Sequence, residues 1–179
     1  CPAPTPATIH AEMDHPHFAT SASFSVQCLA VLAGAYASLG RFEEADATAT
    51  RALQIARKLN RPYDLGLAYY YLAFVLLKRG SVEEAIEVLR DGLGDAVGFV
   101  IPWPSAALGY AYVGGGSGAE GKRLIEKSSE QARAMRLDFL ETRIAAWLAL
   151  ASIRLGDRAA AEKQSAIALS EARAHSYRE

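Results

Sequence analysis

One pattern written four times along the chain limits its fold more than any other feature. The segments LAVLAGAYASLGRFEEADATATRAL at 29–53, YYYLAFVLLKRGSVEEAIEVLRDGL at 69–93, SAALGYAYVGGGSGAEGKRLIEKSS at 105–129 and AAWLALASIRLGDRAAAEKQSAIAL at 145–169 align without gaps. Their shared glycines, Gly40, Gly80, Gly116 and Gly156, lie 40, 36 and 40 residues apart. Leu32, Leu72, Leu108 and Leu148 fill one column, expected to be buried throughout. The next column holds Ala33, Ala73, Gly109 and Ala149, small enough for a neighbouring helix to approach closely. Ala45, Ala85, Gly121 and Ala161 form a second small column, and Ala52, Gly92, Ser128 and Ala168 a third. Leucine follows the third in three units, as Leu53, Leu93 and Leu169. Self-similarity at such a period marks a stacked repeat, whose units bury their apolar faces on one another.

Each unit reads as two antiparallel helices. The aligned glycine closes the first, because it adopts the left-handed backbone conformation at little cost. Glu43-Glu44 and Glu83-Glu84 open second helices, where negative charge is favourable against the helix dipole. Pro62, Pro102 and Pro104 stand where first helices should start, the place a helix tolerates proline. No alternating apolar run competes as a strand. The expected organisation is an extended Pro-rich arm at 1–17 and a repeat domain at 18–179, with units at about 18–60, 62–97, 101–136 and 138–175.

Composition removes several functions. A formal net charge of −1 gives no electrostatic reason to bind nucleic acid or an anionic membrane. No apolar run nears the roughly 20 residues that span a bilayer. Cys1 and Cys28 are too few for a disulfide framework or a metal site. The first residue is not Met, which reads as a fragment or processed product, and cytoplasm is the expected location. A chain starting at Cys1 before Pro-rich sequence is also open to a lipoprotein reading. The arm carries His10, Glu12, Asp14, His15 and His17, but a Pro-interrupted stretch pre-organises no coordination geometry. A solvated arm without metal is the expectation.

Gly116–Lys122 satisfies the GxxxxGK spacing of a phosphate loop. Arg123 occupies the place of the hydroxyl that should follow the lysine, and Glu120 puts a carboxylate in the anion nest. The repeat alignment also sets a helix before the motif, where a phosphate loop needs a strand. The stretch is therefore expected to be a turn and the start of a second helix, with Lys122 and Arg123 solvated and no nucleotide bound. Histidines lie only near the ends (His10, His15, His17 and His175), so the helical core offers no Ser/His/Asp or Cys/His constellation.

Pattern and columns resemble the tetratricopeptide repeat in a longer variant of about 40 residues. YDLGLAYYYLAFVLLKRGSVEEAIEVL, PWPSAALGYAYV, EQARAMRL and AAWLALASIRLGDRAAAEKQSAIALSEARAH are similar to C-terminal repeats of large bacterial signalling proteins. Those proteins carry a class III adenylate/guanylate cyclase domain and an ATPase-like domain ahead of the repeats. Large LuxR-type transcriptional regulators have similar arrays. The resemblance covers roughly residues 20–178 and transfers no catalytic residue. It implies an all-α, right-handed solenoid of about four helix pairs, non-enzymatic, without cofactor or metal. Its partner would be a protein or peptide, or a second copy of the chain, with no nucleic acid or membrane involved. The fourth unit ends in ALSEARAHSYRE without a polar capping helix, so the parent protein is expected to continue with another helix and this fragment to cover its open edge by self-association or crystal contacts. The alternative is a ligand- or peptide-sensing domain of a LuxR-type regulator.

In the tetratricopeptide register, the second, fifth, ninth, twelfth and thirteenth positions of each unit face a concave groove. They are small in the first unit: Gln27, Ala30, Gly34, Ala37 and Ser38. The second unit supplies Leu67, Tyr70, Phe74, Leu77 and Lys78, and the third Trp103, Ala106, Tyr110, Val113 and Gly114. Arg143, Ala146, Leu150, Ile153 and Arg154 complete the fourth. The groove so drawn is aromatic and aliphatic around Tyr70, Phe74, Trp103 and Tyr110, with Lys78, Arg143 and Arg154 as positive points. Such a set suits an amphipathic helix or an extended peptide with acidic groups. Aromatic residues equally fill cores, so the same four side chains also read as packing.

Overall fold

The computed structural model describes residues 23–95 and 102–176, and among them there are eight helices and no strand. In chain order these are α1 (Phe24–Ser38), α2 (Phe42–Leu59), α3 (Pro62–Arg79), α4 (Val82–Asp95), α5 (Pro102–Gly114), α6 (Gly118–Ala134), α7 (Asp138–Arg154) and α8 (Arg158–Ser176). They form four antiparallel pairs stacked as an all-α solenoid. The arm at 1–17, with its histidine set, lies outside the described residues.

The turn inside every pair is made by the aligned glycine. Gly40, Gly80, Gly116 and Gly156 have φ of +74°, +91°, +93° and +74°. Residues following them donate back to the last turn of the first helix, as Arg41 does to Tyr36 and Ser81 to Leu76 at 2.9 Å. Two connections between pairs also turn through the left-handed region, at Asn60 (φ 49°) and Arg136 (φ 54°), without a glycine to announce them.

Packing between helices is mostly between neighbours. Each first helix packs on its own second helix, on the second helix before it and on the adjacent first helices. First helices therefore run side by side along one wall, the inner one, and second helices lie outside them. The interior joins Leu76, Leu89, Leu108, Ile125, Leu140 and Ile144 across the middle and late units. Small columns let backbones meet: a Cβ on Gly109 would lie 2.7 Å from the Gly121 carbonyl oxygen, and one on Gly121 would collide with that of Gly109.

The leucine column is not uniformly buried. Leu108 and Leu148 are buried and Leu72 is half-buried, whereas Leu32 is 42% exposed. The column is covered by the preceding unit's second helix, and among the described residues α1 has no such helix before it.

Among the described residues no three metal-ligating side chains cluster. No helix there is long and apolar enough to cross a membrane.

Candidate functional site

Four first helices bring their inward residues to the inner wall, and burial sorts those residues into floor and rim. Leu67, Tyr70 and Val113 are buried and belong to the floor. Phe74, Leu77, Trp103 and Tyr110 are half-buried. Lys78, Arg143 and Arg154 stand exposed on the rim. In the first unit, Ala30, Gly34 and Ala37 are buried beneath the larger side chains of α3. Gly34 is held to glycine by the Tyr71 ring, which a Cβ there would meet at 2.9 Å.

Tyr70 is the centre of this wall and, at 1% exposure, is core rather than contact surface. Its ring lies 4.8 Å from that of Trp103, 5.1 Å edge-on from Tyr71 and 6.3 Å from Trp147. A buried phenol needs a partner for its hydroxyl. Arg143 Nη1 supplies it, donating at 2.5 Å across a separation of 73 residues. The same guanidinium sits 5.7 Å from the Tyr70 ring centre and 5.9 Å from that of Trp103, so it caps the cluster by cation–π attraction as well. Burial pushes the Tyr70 phenol above its ordinary ionisation range, and Arg143 opposes that shift by favouring the phenolate.

Beside the cluster opens a cleft of about 170 Å³ lined by Phe74, Leu77, Lys78, Tyr110, Trp147 and Leu150. Tyr110 stacks on Trp147 at 5.9 Å with planes 14° apart, making one rigid apolar side. Lys78 lies over the Phe74 ring at 5.5 Å. Arg154 reaches from α7 toward the end of α5, and a Cβ on Gly114 would lie 3.6 Å from its guanidinium. None of Lys78, Arg143 and Arg154 is in an ion pair with a carboxylate among the described residues.

Two contributors, Tyr71 and Trp147, occupy the sixth position of their units, which the register above leaves out. Trp147 was legible as the residue one helical turn beyond Arg143, and so on the same helix face.

The GxxxxGK stretch is a helix–turn–helix connection. α5 ends at Gly114, the turn passes through Gly116, and α6 starts at Gly118. Arg123 is exposed as expected, but Lys122 is half-buried and donates to Asp157 Oδ2 of the next unit at 3.0 Å. The expectation of a solvated Lys122 fails because its helix position faces the following turn.

Comparison with curated proteins gives no match. Residues 25–94, the first two helix pairs, match the family model described as Tetratricopeptide repeat.

Proposed function

We propose that the chain is a non-catalytic interaction segment that grips a peptide or helix on its inner wall. An apolar side chain of the partner enters the cleft between Phe74, Tyr110, Trp147 and Leu150, and acidic groups beside it meet Lys78, Arg143 and Arg154. Tetratricopeptide repeats generally mediate protein–protein interaction, which supports the class of partner. The observation that carries the reading is an apolar cleft with exposed Lys78 in its lining, a cation in no ion pair among the described residues. Size favours a peptide over a whole small molecule: about 170 Å³ seats one large side chain, whereas ligand pockets run to about 300–1,000 Å³. A place beside a cyclase or a LuxR-type output domain rests on the sequence resemblance alone.

The test is selection from a displayed peptide library on the purified chain. The expected winners share one large apolar residue flanked by Asp or Glu. Leu150→Glu and Lys78→Glu alter exposed side chains, so both should keep the helical circular dichroism spectrum and weaken the selected peptides at least about tenfold, or about 1.4 kcal/mol. Peptides that bind both variants as tightly as the parent would remove the cleft from consideration.

A further inference from the structure

The three junctions between units are built to one plan, and the two ends of the stack carry its two unused halves. At each junction a first helix lays a column of three residues on the unit before it. That column is Ala68, Leu72 and Val75 in α3, Pro104, Leu108 and Ala111 in α5, and Ile144, Leu148 and Ala151 in α7. Apart from half-buried Leu72, all of these are buried. The same column in α1 is Cys28, Leu32 and Ala35, and all three are exposed, beside exposed Phe24 and Val31. At the other end, α8 presents the surface that such a column covers elsewhere. Leu53 in α2 is 7% exposed, and its counterpart Leu169 is 57% exposed. Ile153, aligned with buried Ala37 and Val113, is 61% exposed. Ile153, Ala161, Ser165 and Leu169 line an open cleft of about 570 Å³ there.

The polar rim repeats as well. Six residues after each turn glycine, the second helix meets the turn of the following unit. Asp46 pairs with Arg79, and Ile86 lies 3.5 Å from where a Cβ on Gly115 would sit. Lys122 bridges to Asp157 at 3.0 Å. In α8 this position is Glu162, and the first-unit residue aligned with Asp157 is Arg41. The two ends thus carry the Lys122–Asp157 pair with its charges exchanged. Glu162 and Arg41 are held only in local pairs, with Arg158 at 2.9 Å and with Glu44. Exposed pairs of this kind contribute little and exchange readily.

We propose that the α8 face of one copy receives α1 of a second copy, head to tail, continuing the stack with Leu32 over the α8 cleft and Arg41 against Glu162. The contact is heterologous, so it leaves one face open at each end and propagates into longer assemblies unless it closes as a ring.

Sedimentation velocity on the 179-residue chain tests this directly. The expected result is a mass that climbs with concentration beyond two copies. Leu32→Glu and Leu169→Glu change exposed side chains and should each give a monomer with unchanged helical content. Mixing the two variants should restore a complex of two chains and no more, since each retains one intact face. Arg41→Glu and Glu162→Arg should each weaken association, and the double exchange should recover it. A parent chain that stays monomeric at millimolar concentration overturns the proposal. So does a mixture that fails to pair, which would assign the end faces to another repeat unit or to residues outside those described.

Discussion

Tyr70 and Asp64 are both almost wholly removed from water, and each has a polar atom that had to find a partner. The folded state raises the ionisation of the Tyr70 phenol above the ordinary value of 10.0, chiefly through burial. Its contribution to stability is therefore fully present below the unfolded value and is lost as pH rises through the folded one. In an ultraviolet phenolate titration, Tyr70 should be among the last tyrosines to ionise, with Tyr63, which burial also raises. Tyr70→Phe should delete that late component, and deletion of an early one would contradict the assignment. Asp64, in the first turn of α3, accepts from the Ser23 backbone N–H at 2.6 Å, and Arg61 Nε lies 3.3 Å from its other oxygen. Ser23 makes no side-chain cap for α1, so Asp64 satisfies an N-terminal donor from another helix. Asp64→Ala should cost about 1.5–3 kcal/mol, the scale for hydrogen bonds to charged groups, read from the urea midpoint. An unchanged midpoint would mean that water replaces the carboxylate freely.

Helix α5 crosses α6 through two glycines, and no pair depends more on missing side chains. Gly121→Ala should cost about 1–3 kcal/mol by overpacking or force the pair apart, whereas Gly40→Ala meets open space and should lose about 1–2 kcal/mol through backbone conformation alone. The two should differ in near-ultraviolet circular dichroism, which reports the α5–α6 packing only for Gly121. Repeat columns made the pairing, the turns and this close approach legible in the sequence, because each is a local requirement imposed four times. What they could not convey is coverage. A column records which face of a helix is apolar, and burial needs a neighbour on that face. Leu32 and Leu108 share a column, yet Leu108→Ala should cost about 2–5 kcal/mol and Leu32→Ala far less. The inner wall shows the same limit: the register names residues for it but says nothing of their depth. Tyr70 fell to the floor because Tyr71, Trp103 and Trp147 surround its ring and Arg143 closes over its hydroxyl. The left-handed turn at Arg136 left no trace, since arginine has no preference for it.

Among the described residues most contacts between helices are between neighbours, so stability is nearly a sum of unit and junction terms and the ends should open first. Amide exchange should be slowest in α3, α5 and α7 and fastest in α1 and α8; uniform protection would show a more cooperative unit than this packing implies. Contacts on the inner wall depart from this neighbour pattern, as the Tyr70–Trp147 ring contact does. Arg143 of the fourth unit holds Tyr70 of the second, passing over the third. Because it lies on the inner wall, it works as a bowstring, tying two points of an arc so that the intervening unit cannot flatten. Cutting the string with Arg143→Ala should leave helix content intact and let the arc straighten, seen as a larger radius of gyration in small-angle X-ray scattering. The bend of this solenoid would then be a setting held by one guanidinium, and a partner that draws Arg143 away would change the reach of everything attached to either end.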